Sequence, residues 1–237
     1  MPRAVREQQM LDAAVRTFAR RGYRNASMDD IAELAGVSKP LVYLYLNSKD
    51  ELFAACVRRE AAALVAAIRA AVEHDAPADR RLWSGLHGFF AHTAEHPDGW
   101  TLLHVQARTH GDPFALEVAA MRAEIVEFVT HLLAVAARES ACGPARARRM
   151  TGGEASGLAH ALVGAAESLA EWASDPAGGG PSAEEAAATL MNFAWAGLGN
   201  LLRGERWSPG EHARGQRAQA HGTGRGQRAQ AHGTGRG

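Results

Sequence analysis

Residues 27–52, SMDDIAELAGVSKPLVYLYLNSKDEL, constrain this chain more than any other stretch, because they write two short helices around a glycine turn with a third helix directly after. Ser27 stands at an N-cap with Asp30 three positions on, a relative of the Ser-x-x-Glu capping box, and Met28, Ile31, Ala32 and Ala35 follow at helical spacing. Gly36 supplies the left-handed residue that ends the helix. Val37 is placed to tuck under both helices, and Ser38 is set to cap the next one. Pro40 is tolerated in the first turn, where its missing N–H has no intrahelical partner. Asn47 then breaks the helix. Ser48 and Glu51 read as a second capping box, so the following helix opens with free N–H groups and Lys49 beside them, a terminus suited to phosphate.

At ~100° per residue from Ser38, Val42, Tyr45 and Leu46 share one arc, while Pro40, Tyr43 and Leu44 share the opposite one, flanked by Lys39 and Leu41. The first arc faces a core. The second is mostly apolar and aromatic with a single charge, a face that gains nothing from water and wants a partner. A plain helical hairpin would also carry caps and a glycine turn, but it leaves the outward Tyr43 and the flanking Lys49 without a role. As a helix-turn-helix DNA reader, Ser27, Ser38, Tyr43 and Lys49 would sit on phosphates and Lys39, Pro40, Leu41 and Leu44 at base edges. Lys39 alone of these donates to guanine O6 or N7. The leucines and the proline offer only apolar contact, suited to thymine methyl groups, so DNA shape is expected to carry part of the specificity.

Gly22, Ser27, Asp30-Ile31-Ala32, Ala35-Gly36-Val37-Ser38, Tyr43 and Ser48-Lys49-x-x-Leu52 resemble the N-terminal signature of the TetR/AcrR family of transcriptional regulators, over roughly residues 5–55. The resemblance implies a homodimeric, all-helical, ligand-responsive DNA-binding protein, usually a repressor, on a palindromic double-stranded operator. The chain departs from the family at the reading helix. Pro40 stands where Gly is common, Leu41 where Thr or Ala is common, and Leu44 where a polar or aromatic residue often sits, so no relative's operator transfers to it.

Upstream, residues 5–21 form an amphipathic helix with Leu11, Ala14, Val15, Phe18 and Ala19 on one stripe, which completes a three-helix unit over residues 1–50. Residues 1–25 carry six Arg against Glu7 and Asp12, and Arg3 and Arg6 are placed to lie along a DNA backbone. The net charge of the 237 residues is zero, but residues 1–60 carry +2, residues 61–202 carry −7 and residues 203–237 carry +5. That asymmetry turns the N-terminal unit toward DNA and the middle away from it. No apolar run approaches the ~18 residues that span a bilayer, and the start, MPRAVREQQ, is charged, so a cytoplasmic protein without a membrane partner is expected. Two cysteines, Cys56 and Cys142, build no disulfide framework.

Past residue 55 every periodic segment is helical, which gives an all-α fold of about nine helices, with residues 51–204 as a ligand-binding and dimerisation domain. A fourth helix runs to about Glu73, a fifth spans Leu82 to Ala94 and a sixth Trp100 to Arg108. Asp112 and Pro113 open a seventh that ends near Ser140. The last two span about Ala145 to Trp172 and Ser182 to Leu202, the latter opened by Ser182-x-x-Glu185. Stripes containing Leu158, Leu162, Leu169, Phe193, Gly197 and Leu201 suit either an internal core or, as the resemblance implies, a four-helix interface with a second copy. Gly157, Gly164 and Gly197 would let helices approach closely there.

The apolar cluster of Trp83, Leu86, Phe89, Phe90, Trp100, Leu103, Phe114, Met121, Ile125 and Phe128 reads as core or as the box for a mainly apolar small-molecule effector. The polar residues His87, His104 and Arg108 fall among these side chains, as a ligand site needs. His92-x-x-x-His96 has zinc-chelating spacing, but His96 ends its helix and no third ligand accompanies the pair, so no metal is expected. No cofactor is expected either. The alternatives are a metal-sensing regulator, or a helical ligand-binding protein or enzyme that only carries a helix-turn-helix, and for catalysis no nucleophile elbow, phosphate loop or HExxH motif is present. The tail repeats GQRAQAHGTGR at 215–225 and 226–236. Nothing in it builds a core, so residues 205–237 are expected to be a disordered basic tail.

Overall fold

The computed structural model describes residues 3–45, 47–140, 150–174 and 179–202. Leu46, Cys142, the expected start of a helix near Ala145 and the whole repeat tail lie outside the described residues. Among those described, every regular element is helical: α1 (Arg3–Asn25), α2 (Met28–Ala35), α3 (Lys39–Tyr45), α4 (Lys49–Ala71) and α5 (Ala78–Glu95) come first. Next is α6, which passes from Pro97–Thr101 through a wider π turn at Leu102–Gln106 into Ala107–Thr109. Phe114–Ser140 is α7, Gly152–Ala173 is α8 and Ala183–Leu202 is α9. No described helix is long and apolar enough to cross a membrane.

Several ends differ from the sequence reading by a turn or less. Asp112 does not cap α7. The first turn is closed instead by backbone, with the Gly111 carbonyl accepting from Ala115 and the Pro113 carbonyl from Glu117, so the helix proper starts at Phe114. Ser182 does cap α9, its Oγ accepting from Glu185 N–H at 3.2 Å while the Glu185 carboxylate accepts from Ser182 N–H at 2.8 Å. At α4, Ser48 Oγ accepts from Glu51 N–H at 3.1 Å, but the box is half made, because the Glu51 carboxylate accepts from the Asn47 side chain at 3.0 Å instead.

A single connected core runs from the three-helix unit into the rest of the molecule. Its hub is aromatic: Phe53 of α4 meets Phe18, Tyr23 and Phe114 edge-on with ring centroids 4.7 to 5.0 Å apart, contacts worth about 1 kcal/mol each beyond their buried area. Beside it Cys56 is fully buried, and burial pushes its thiol pKa up to about 12, which makes it a packing group. Helix α5 lies between α4 and α9, and α7 between α4 and α8. The close approach falls at Gly88, where an added Cβ would stand 2.4 Å from the Ala71 Cβ. Gly157 and Gly197 meet nothing within 4 Å and Gly164 only the tip of Arg122, so none of the three brings helices together inside this subunit.

Gly36 takes φ +65°, and its N–H and that of Val37 return to the carbonyls of Glu33 and Ala32 at 3.0 Å. A side chain there would touch nothing, so only the left-handed backbone demands glycine. Gly36→Val is therefore expected to destabilise the protein by about 1–2 kcal/mol and Gly36→Asn by less than about 1, read as shifts of the urea midpoint. Equal losses for the two would mean that space, not backbone conformation, sets the residue.

Candidate DNA-reading face and effector cavity

Helix α2 is held by its capping box: Ser27 Oγ accepts from Asp30 N–H at 3.0 Å, and the Asp30 carboxylate accepts from Ser27 N–H at 3.3 Å. Those bonds, with Arg21 2.6 Å away, hold the Asp30 carboxyl below its usual range. Across the turn, α3 buries Val42 completely and packs the half-buried Tyr45 inward, while Lys39, Pro40, Tyr43 and Leu44 face out and Leu41 sits between. Leu44 is 74 % exposed, against 41 % for Tyr43.

The polar groups of this face are committed differently from the sequence reading. Lys39 Nζ bonds the Asp29 carboxylate at 2.9 Å, which ties α3 to α2 and raises the lysine's pKa. The Ser38 hydroxyl does not cap. Its carbonyl takes the N–H of Leu41 at 2.9 Å, and Pro40, at the other position a cap would serve, has no N–H to offer. The hydroxyl is thus left exposed toward any phosphate. Lys49 turns back along α1, donating to the Arg24 carbonyl at 3.3 Å with its ammonium 4.5 Å above the Tyr23 ring.

Tyr23 is the residue the sequence reading missed. Gly22 breaks α1 with φ +75°, which swings Tyr23 into the seam between α1, α4, α6 and α7. Its hydroxyl donates to Asp50, its N–H reaches Gln106 Oε1 at 3.4 Å, and its ring meets His110 at 4.8 Å. Burial, then Asp50, push its pKa up to about 12. The signal was there in a glycine followed by an aromatic at the end of an amphipathic stripe.

Behind this seam α4, α5, α6, α7, α8 and α9 line an apolar cavity of about 80 Å³. Trp100, Met121, Ile125 and Phe128, all expected in an effector site, line it together. Trp83, His87 and Phe90 do not. On α5 the wall is formed by Leu82, Gly85, Leu86 and Phe89, an i, i+3, i+4, i+7 set, and the other three lie an arc away, with Trp83 and His87 ring to ring at 6.0 Å. His104 stacks on the outer side of Trp100 at 4.8 Å and Arg108 reaches Glu167 at 3.9 Å, so both stand behind the lining. Arg81 and Glu167, unremarked in the sequence, are the charged residues of the wall.

Of the residues expected to pair two copies, Leu162 lines the cavity, Leu158 and Leu169 are half-buried against the core, and Leu201 is half-buried. Phe193 is 78 % exposed, with Gly197 on the same exposed side of α9 one turn on, and Trp172 of α8 is also largely bare. His92 and His96 lie ring to ring at 4.5 Å, and no group of three metal-holding side chains occurs among the described residues.

The family model for bacterial regulatory proteins of the tetR family matches residues 10–56, and that for the tetracyclin repressor-like C-terminal domain matches residues 77–197, just over half the chain by itself. The chain belongs to the TetR family. A TetR-like transcriptional regulator from Rhodococcus sp. RHA1 superposes with a TM-score of 0.68 at 40% identity, covering 84% of this chain and 98% of that one. FadR from Bacillus subtilis, solved in complex with stearoyl-CoA, shares the TetR fold at a TM-score of 0.64 but only 15% identity, covering 84% of this chain and all of FadR. Among curated proteins, the transcriptional activator FasR of Mycolicibacterium smegmatis is 38% identical over 103 residues, 44% of this chain and 47% of FasR. The chain thus spans about half the length, or less, of the first curated TetR-family relatives it matches.

Proposed function

We propose that this TetR-family regulator binds a palindromic operator as a homodimer in the cytoplasm and is released from it by a long, mainly apolar effector. Residues 1–50 read the DNA, with Tyr43, Ser38, Ser27 and the α4 terminus on phosphates and Lys39, Pro40, Leu41 and Leu44 at base edges. Lys49 acts by bracing that terminus on α1 rather than by reaching out. Residues 51–204 bind effector and partner, and Phe193 and Gly197 are the centre of the partner face. Support for a long effector comes from the hydrocarbon lining of the cavity and from FadR, whose complex holds stearoyl-CoA.

One observation carries the coupling. Helix α6 supplies Trp100 to the cavity wall and, six residues on, Gln106 to the backbone of Tyr23, while Asp98 of the same helix pairs with Arg20 at 3.5 Å. A ligand that pushes on Trp100 therefore moves the element on which the reading unit rests. Whether release turns genes on or off depends on where the operator lies. The resemblance implies a repressor and FasR is named an activator, so the protein fixes only the release.

Titrating fluorescent operator, recovered by selection from genomic DNA, with saturated fatty chains of increasing length tests this reading. Chains that fill the cavity are expected to weaken operator binding at least tenfold and to stabilise the protein by about 2.7 kcal/mol at a hundred times their dissociation constant. Stabilisation without loss of operator binding would separate the cavity from DNA control.

A further inference from the structure

Two ion pairs close the cavity wall, and they differ in which partner water can take. Arg81 is buried, its side chain 8 % exposed, while Glu139, the carboxylate it donates to, is 53 % exposed. Among the described residues that is the one hydrogen bond of its guanidinium. The second pair centres on Glu167, whose side chain is 17 % exposed; both its oxygens accept from Arg122 Nε at 3.1 Å, and Arg108 stands 3.9 Å away. Arg122 and Glu139 are seventeen residues apart on α7, about 25 Å along its axis, so the two pairs stand far apart along the apolar wall. Between them the wall is hydrocarbon, from Leu82 and Phe89 to Ile125 and Phe128.

The asymmetry selects a polarity of ligand. A buried cation whose acceptor is free to swing into water accepts another anion in its place, and Arg donates to a carboxylate through two parallel N–H groups. The Glu167 carboxylate is already paired and repels a second anion. We propose that the effector is a long-chain monocarboxylic acid whose carboxylate replaces Glu139 on Arg81 and whose chain runs toward Glu167; this rests on the cavity being the effector site. A CoA thioester fits less well. Its carbonyl carries no charge, so displacing Glu139 would leave Arg81 buried without a counter-ion, and leaving Glu139 in place forfeits the contact.

Binding of hexadecanoate, methyl hexadecanoate and hexadecanoyl-CoA to the full chain, each below its micellar limit, is read from Trp fluorescence, since Trp100 lines the site. The acid is expected to bind at least about tenfold tighter than the ester, the scale of one charge-assisted hydrogen bond. Glu139→Gln should tighten the acid several-fold and leave the ester unchanged. Arg81→Met should erase the preference while the ester still binds, which also shows that the variant is folded. An acid no tighter than its ester, a thioester tighter than the acid, or a preference that survives Arg81→Met each overturns the proposal. If all three chains bind equally, the cavity remains an effector site and only the carboxylate assignment falls. If none binds, both fall.

Discussion

Leu44→Glu is expected to weaken operator binding by roughly thirtyfold or more, while the folded protein melts where the parent does. Leu44 projects from α3 at 74 % exposure, so replacing it disturbs no core. In the major groove it would lose apolar contact and bring a carboxylate beside phosphates. A base-edge contact is worth about 1–3 kcal/mol, and a dimer makes each contact twice, so about 2–6 kcal/mol is at stake. Leu44→Ala should cost less, because it removes contact without adding charge. Fluorescence anisotropy at fixed salt reads both, and a Leu44→Glu protein within threefold of the parent would remove α3 from the base edges. Lys49→Ala, in contrast, should lower stability as well as binding, because its ammonium braces α4 on the Arg24 carbonyl and the Tyr23 ring.

Phe193→Asp is the second large effect. The ring is 78 % exposed and contributes little to its own subunit, yet the same outer side of α9 carries Gly197, with no atom within 4 Å of its absent Cβ. A bare aromatic beside an open glycine is a surface shaped for a second copy, where an aromatic anchor carries much of the binding energy. An aspartate there meets its own twin across a two-fold axis and must be desolvated unpaired. Sedimentation should show a folded monomer. Operator affinity should then fall by about 10²–10⁴, the avidity lost when two half-sites are no longer bound by one particle. A variant that stays dimeric would move the interface away from α9.

The turn between α2 and α3 was legible because each of its residues has a local reason: Ser27 and Asp30 close a capping box, Gly36 takes the left-handed conformation, and Val42 alone of α3 is fully buried. The apolar outward arc of α3 was legible for the same reason, since seven residues at a fixed angle leave little freedom. The cavity was half legible. Sequence proximity found Trp100, Met121, Ile125 and Phe128, and on α5 Leu86 and Phe89, but it took Trp83, His87 and Phe90 with them, because it did not separate the inward i, i+3, i+4, i+7 set that starts at Leu82 from the rest of the helix. Arg81 and Glu167 were invisible, because a charged residue joins an apolar wall only through a partner on another helix, and neither Glu139 nor Arg122 is near in sequence. The contacts of Lys49 with α1 were not legible for the same reason, since Gly22 had to break α1 before Tyr23 stood beneath it.

Whether two copies of this helix-turn-helix read one two-fold operator is decided by selecting bound duplexes from a random pool at about 150 mM salt. The expected result is an enriched palindrome whose half-sites lie a helical turn or a multiple of it apart, about 34–36 Å per turn, and which vanishes for Phe193→Asp. A single asymmetric half-site, or no enrichment above the input pool, would contradict it.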